Sequence, residues 1–562
     1  MVGVLASRVF FPYAPGVPAN TTLVLRLTGD VAEVEGSGVL DQFLPGQPTV
    51  RSLVDMLQRA KTDTRIQALL VIPMAGTPYW GKSQEIRDAI LDFRKSGKKT
   101  VAFLEFAGEQ EYYIATACER IFLLPSSNLS VKGLATYEVF LRGTLDKIGA
   151  VPDLMHIGDF KTAVNTFTEK TFTPAHREMA ESLNHDAFEQ LVQGIAEGRK
   201  KSVADVRALI DQGPFLPEDA LRTGLVDDLA YRDQLADKAK LSLDRETEGE
   251  VYARGTARGG FRLPSGQRIA LIYAVGTIAS GESGSGANGG EFTGSDTLAK
   301  YIREARQDST IKAVVLRIDS PGGSSVASDV IWRELMLTRD KKPLIVSMSD
   351  FAASGGYYIA MPAHAIVAQP GTLTGSIGIF QGKFVTGGVL KKLGANIEGV
   401  SEGKFADIDS PVRPYSPEER AKLEEQMQAF YDQFVEKVAQ ARKSTPEKID
   451  AIAQGRVWTG RQAREIGLVD ELGGLTKAIA VARERAKIPA GEDLQIVVYP
   501  PRKSFYEALS EPFGQAEQSM QAHAMGHLFS PRERRVIADL SAPVRLLQRR
   551  EPLALMPFVF LR

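Results

Sequence analysis

Ser354 is followed by two glycines, in Phe351-Ala-Ala-Ser-Gly-Gly-Tyr357, where a β-type apolar run gives way to a helical pattern. Such a place suits a nucleophile: the hydroxyl is displayed on a tight turn, and the glycines let a substrate carbonyl approach the backbone. Unpaired N–H groups at the start of the following helix point toward any developing oxyanion. A second glycine-rich strand end, Asp319-Ser-Pro-Gly-Gly323, offers another donor. On its own, Ser-Gly-Gly serves equally well as an N-cap and close-packing site, so the base decides. The six histidines are His156, His176, His185, His364, His523 and His527; none lies in an H-E-x-x-H pattern or beside Ser354 in a recognisable triad, and His364 suits surface or packing better. A lysine can act instead if its amine is neutral. At the unperturbed pKa of ~10.4 only about 4 in 10,000 lysines are neutral at pH 7, so burial must lower it by ~3 units, a difference of ~4 kcal/mol. The lysine sought is therefore enclosed beside few charges. Ser401-Glu-Gly-Lys404 fits a short Ser-x-x-Lys motif, but Ser96-Gly-Lys-Lys99 fits it too, and four-residue matches arise easily by chance.

The elements that position these residues come from a diverged duplication. Tyr112-Tyr-Ile-Ala115 recurs as Tyr357-Tyr-Ile-Ala360, and Ile66 to Val71 as Ile311 to Leu316, both at an offset of 245. Gly224-Leu-Val-Asp-Asp-Leu229 recurs as Gly467-Leu-Val-Asp-Glu-Leu472 at 243. Each half alternates short β-rich runs with amphipathic helical stretches, the pattern of an α/β domain. In the second half, strands are expected at about 268–275, 312–319 and 343–348, and helices at about 295–307 and 325–338. A long helix over 417–443 opens on Ser416-Pro417, an N-cap with proline at the first helical position. Its twin opens on Thr173-Pro174.

Packing should persist in both copies, whereas chemistry need persist in only one. The two copies part at three places that converge on the candidate serine. Gly323 faces Pro78, which has no N–H to donate; Ser354 faces Glu109; Ser376, in Thr374-Gly-Ser-Ile-Gly378, faces Val131.

The bulk properties exclude several classes. With 562 residues, two or more domains are expected. The expected division is an N-terminal segment 1–19, a first α/β domain 20–246, a linker 247–266, a second α/β domain 267–490, and a strand and tail of uncertain order at 491–562. Gly281 to Gly290 reads as a flexible loop. Sixty-eight basic residues against 69 acidic ones leave a net charge of -1, which gives no field for nucleic acid. The single cysteine, Cys118, excludes an intramolecular disulfide and a Cys-rich zinc site. No metal and no cofactor are expected. No stretch reads as a transmembrane helix or a cleavable signal peptide: prolines 12, 15 and 18 break the first uncharged run, and Pro557 interrupts the apolar run Leu553 to Leu561.

Together the Asp-Ser-Pro-Gly-Gly, Ala-Ser-Gly-Gly-Tyr and Leu-Thr-Gly-Ser-Ile-Gly blocks resemble the long, duplicated form of the signal peptide peptidase A family, also called protease IV, over roughly residues 20 to 490. The resemblance implies a tandem duplication of a Clp protease/crotonase-like α/β domain with mixed sheets and flanking helices. It implies a serine endopeptidase with a Ser/Lys dyad, the second domain supplying Ser354 and the first the lysine. The family's lysine motif matches Gly158-Asp-Phe-Lys161-Thr-Ala163, and Lys161 faces Ala406 at the 245 offset, or Lys404 if the two-residue shift lies earlier. By the same resemblance, the Gly323 and Gly355 N–H groups form the oxyanion hole and Ser376 orients the lysine. Also implied are hydrophobic peptide substrates such as signal-peptide remnants, association with the cell membrane with the catalytic body on the extracytoplasmic side, and a ring-like homo-oligomer, a tetramer. A crotonase-like acyl-CoA enzyme and an inactive membrane scaffold are the alternatives.

Overall fold

The computed structural model describes residues 17–29, 31–34, 48–74, 79–257, 266–285, 291–500, 543–544, 546–547, 551–557 and 560–561. The chain forms two compact units. Among the described residues, one draws on 17–34, 48–134 and 188–257, the other on 135–187 and those from 266 onward.

In the first unit a parallel six-stranded sheet has the order Asp228–Leu229, Arg120–Leu123, Lys99–Leu104, Ile66–Pro73, Thr21–Leu27 and Glu246–Glu248. Its central strands are near-continuous apolar runs, as strands covered on both faces must be, and Leu23, Leu70, Phe103 and Phe122 are buried. Of the stretch expected as a linker, Glu246–Glu248 extends this sheet and Gly249–Ala257 is helical, with 258–265 outside the described residues.

The second unit repeats that order. Glu471–Leu472, Ala365–Ala368, Leu344–Ala353, Ile311–Ser320, Gln267–Val275 and Leu494–Tyr499 pair in parallel, and Leu373–Gly375 also joins Leu344–Ala353. The strands expected at 268–275 and 312–319 and the helices Ser295–Gln307 and Ser325–Arg339 lie where their periodicity puts them. The strand expected over 343–348 runs on to Ala353, because its polar residues Ser347, Ser349 and Asp350 are buried rather than turning out to solvent. The long helix Pro417–Ala441 starts at a capping box in which Ser416 and Glu419 satisfy each other's backbone N–H groups.

Features common to both copies are structural. Arg199 holds Asp227 and the Gly224 carbonyl in the first unit, and Arg442 holds Asp470 and the Gly467 carbonyl in the second. Tyr112 donates to the Leu225 carbonyl as Tyr357 does to that of Leu468.

A further sheet of the second unit has the order Gly284–Ser285, Glu291–Gly294, Thr277–Ala279, Gly322–Ser324, Leu553–Leu555, Ile379–Val385 and Val151–Ile157. Its last pairing is antiparallel from Val151 opposite Val385 to Ile157 opposite Ile379. Segment 135–187, although it belongs to the first sequence repeat, is thereby part of the compact unit that carries the serine loop. Most of the tail expected at 491–562, and part of the loop expected at 281–290, lie outside the described residues.

Candidate active site

Ser354 ends the buried strand Leu344–Ala353 and caps the short helix Gly355–Ala360. Its backbone sits at φ 55°, ψ -112°. This is a sparsely allowed conformation for a residue with a Cβ, of the kind found where a strand turns abruptly to present a nucleophile. The turn is held by the Ser354 N–H, which donates to the Gly375 carbonyl at 2.7 Å, and by the Tyr358 N–H, which donates to the Ser354 carbonyl at 2.8 Å.

Lys161 follows the strand Val151–Ile157 and precedes the one-turn helix Thr162–Val164. It is 0% exposed, as is Ser354. Its Nζ lies 2.7 Å from Ser354 Oγ, 3.0 Å from Ser376 Oγ and 3.0 Å from the Ser376 carbonyl oxygen. Burial alone pushes the Lys161 amine well below the ordinary lysine range. A neutral amine has two N–H groups and one lone pair, and three oxygens surround this one. The Ser376 carbonyl can only accept, and the Ser376 hydroxyl can take the second N–H, so the lone pair is left facing the Ser354 hydroxyl.

Two glycines let the lysine turn come close. Gly158 has φ +97°, and a Cβ there would stand 2.4 Å from the Gln454 carbonyl carbon. Gly455 has φ +79°, and a Cβ there would stand 2.4 Å from the Lys161 backbone nitrogen. Gly455 was not evident from sequence reasoning, although Gln454-Gly455 repeats Gln212-Gly213 of the first half. Ser376, also at positive φ (50°), donates its N–H to the Arg456 carbonyl at 2.7 Å, which ties it to the same loop.

Gly322 and Gly323 form a short strand with φ +102° and +156°. A Cβ built on Gly355 would stand 3.1 Å from the Gly323 nitrogen. The two expected oxyanion donors therefore lie on one small patch of backbone beside Ser354. Beneath it, Arg317 is 0% exposed and donates to Ser347 Oγ at 2.9 Å and Ser349 Oγ at 3.1 Å. This buried polar layer was also missing from the expectations.

The other candidates lie apart. Lys404 is 62% exposed at its side chain and pairs with Glu418 at 3.3 Å. His364 accepts the Leu344 N–H on Nδ1 at 3.1 Å, a packing role at the start of the serine strand.

Residues 92–245 and 336–489 each match Peptidase family S49. "Serine protease SPPA, chloroplastic" of Arabidopsis thaliana is 35% identical over 88% of this chain and 73% of its own length. "Protease 4" of Salmonella typhi is 37% identical over 84% of this chain and 79% of its own. "Putative signal peptide peptidase SppA" of Enterococcus faecium is 31% identical over 40% of this chain and 65% of its own.

Proposed function

Because the chain belongs to peptidase family S49 and is a serine peptidase, we propose that Ser354 is its nucleophile and Lys161 its general base. The observation that carries this reading is the 2.7 Å approach of a fully buried lysine to the hydroxyl of a serine whose backbone is held in a sparsely allowed conformation. Lys161 takes the Ser354 proton as Oγ attacks a peptide carbonyl, and returns it to the leaving amine. The Gly323 and Gly355 N–H groups receive the oxyanion, and Ser376 keeps the amine's lone pair directed at Ser354. A lysine has no tautomer to fix, so no aspartate is required behind it.

Hydrophobic peptides are the substrates, bound extended against strand edges, and signal-peptide remnants are the natural class. A relative named as a signal peptide peptidase supports this, as do the apolar side chains of Ala163, Val164 and Phe380 beside the site. Association with the cell membrane on its extracytoplasmic side and assembly into a homotetramer complete the proposal. Among the described residues no helix is long and apolar enough to cross a membrane.

The test is hydrolysis of a fluorogenic hydrophobic peptide by the wild type, Ser354→Ala, Lys161→Ala and Lys404→Ala. Loss in the first two variants with activity kept in the third is the expected outcome, and turnover surviving Lys161→Ala refutes the dyad. A wild type that hydrolyses thioesters and not peptides would favour the acyl-CoA reading instead.

A further inference from the structure

Arg456 follows Gly455 in the loop that the lysine turn meets. Its guanidinium lies between two aromatic faces, with Cζ 4.7 Å from the ring centre of Phe160 and 4.6 Å from that of Trp458. One end of the fork donates to Glu178 Oε1 at 2.5 Å, on the helix Pro174–Arg199. The side chain is 18% exposed, and its buried Nε makes no hydrogen bond among the described residues. A guanidinium placed in this way is held by ring faces and one carboxylate rather than by water.

Phe160 is the neighbour of Lys161, and consecutive Cα atoms are ~3.8 Å apart, so whatever fixes the Phe160 ring limits where the lysine chain begins. The backbone around Arg456 is bonded to both sides of the site. The Phe160 N–H donates to the Gln454 carbonyl at 2.8 Å, the Gly455 N–H to the Ile377 carbonyl at 2.8 Å, and the Arg456 carbonyl accepts the Ser376 N–H at 2.7 Å. Trp458 extends the connection to the serine. It lies on Val457–Thr459, antiparallel to Leu373–Gly375 with Thr374 opposite Trp458. A Cβ built on Gly375 would stand 2.9 Å from Trp458 Cδ1, and the Gly375 carbonyl is the one that accepts the Ser354 N–H. One guanidinium thus joins the ring beside the base to the ring beside the nucleophile's turn.

The duplication sets these residues apart. Aligned on Gln454-Gly455 and Gln212-Gly213, Arg456 faces Pro214 and Trp458 faces Leu216; at the 243 offset Glu178 faces Ala421. The cation, its carboxylate and one of its rings are therefore all missing from the counterpart positions. Gly323, Ser354 and Ser376 show the same pattern.

We propose that Arg456 is a positioning residue for the peptidase reaction: clamped between Phe160 and Trp458, it holds the lysine turn and the serine turn in register, so that Lys161 Nζ stays within hydrogen-bond reach of Ser354 Oγ. This rests on the Ser354 and Lys161 roles given above. Arg456 touches neither substrate nor the reacting atoms and acts through Phe160, Ser376 and Trp458. A lysine is a long, flexible chain, and a general base works only at heavy-atom separations of ~2.6–3.2 Å. Releasing the Phe160 ring lets the turn drift, and a drift of ~1 Å is enough to lower kcat by about 10²-fold. The same drift admits water to the amine, whose ionisation then moves back toward the ordinary lysine range.

The test is fluorogenic-peptide hydrolysis by the full chain, read as kcat and KM between about pH 6 and 10, for the wild type, Arg456→Met, Trp458→Leu, their double variant, Glu178→Gln and Lys161→Ala. Each preparation is normalised to its folded fraction from a thermal melt. Arg456→Met and Trp458→Leu should each lower kcat by roughly 10–100-fold with KM within about two-fold of wild type. Each should also raise the pH at which kcat/KM reaches half its plateau by about one unit. The double variant should be about as slow as the slower single one, because both remove the same clamp. Glu178→Gln, at a position 60% exposed, keeps the test open should the others fold poorly, and should lower kcat by about two- to five-fold. Wild-type kcat per folded molecule with an unmoved half-plateau pH, even beside a lower melting temperature, overturns the inference, as do losses that multiply in the double variant. Turnover surviving Lys161→Ala overturns the dyad and the clamp together, whereas loss in Lys161→Ala with wild-type kinetics in Arg456→Met overturns the clamp alone.

Discussion

Replacing Lys161 by methionine keeps a chain of similar length in the pocket and removes its one ionisable atom, which makes the charge state of the buried amine measurable. In the fold, burial holds this amine well below the ordinary lysine range; in the unfolded chain it titrates near ~10.4. Between those two values the unfolded state carries one proton that the native state lacks. Stability therefore rises with pH at ~1.4 kcal/mol per unit across that window. The rise is complete above the unfolded value, and it vanishes below the folded one, where both states are protonated. Methionine has no such dependence. The stability advantage of Lys161→Met over lysine should shrink by about 2.7 kcal/mol between pH 7.5 and 9.5 if the window spans that range. Urea unfolding in a Ser354→Ala background, which lacks the proposed nucleophile, gives both curves. Parallel pH dependences would mean that the folded lysine carries its proton over this range, which refutes the neutral base. With Ser354 present, the same substitution should lower kcat by roughly 10²–10⁴-fold, the usual contribution of a positioned general base. In the unsubstituted enzyme kcat/KM should rise with pH through the depressed lysine ionisation and then level off.

Gly455→Ala places a Cβ 2.4 Å from the Lys161 backbone nitrogen at φ +79°, so the lysine turn must shift; a displacement of ~1 Å is enough to lower kcat by about 10²-fold, read alongside a thermal melt to confirm folding. Arg442→Ala removes the partner of Asp470 and the Gly467 carbonyl, a contact that Arg199 repeats in the first unit. It should lower stability by about 1–3 kcal/mol in denaturant titration and leave kcat per folded molecule unchanged, because the motif serves packing in both copies.

The sequence made the fold legible because the two copies report on each other. Strands at a constant offset, each apolar enough to be buried on both faces, specify one order of pairing, and both units adopt it. Ser354, Gly323 and Ser376 stood out because the first copy abandons them. Lys161 had no such signal in its own surroundings: Gly-Asp-Phe-Lys-Thr-Ala reads as a solvated turn, and only the family resemblance marked it. Its burial comes from the pairing of Val151–Ile157 with Ile379–Val385, a contact between remote segments that no local pattern encodes. The strand Leu553–Leu555 was invisible for a related reason. Three residues carry no periodicity, and this segment is extended because two edges, Gly322–Ser324 and Ile379–Val385, hydrogen-bond to it from either side.

Arg317 is a different case, since the duplication held the information. At the 245 offset Arg317 faces Ile72, Ser347 faces Ala102 and Ser349 faces Leu104, so three positions on two neighbouring strands are polar together in the second copy and apolar in the first. A buried polar group is tolerated only when hydrogen-bonded, and a buried guanidinium needs several acceptors. Three polar side chains on strands that must stay buried therefore have to satisfy one another, as Arg317 does with both serines. The serine strand runs on past that layer to Ala353 and into Ser354, whose sparsely allowed backbone needs a rigid base. The difference between the copies thus extends from the displayed hydroxyl down into the sheet that supports it.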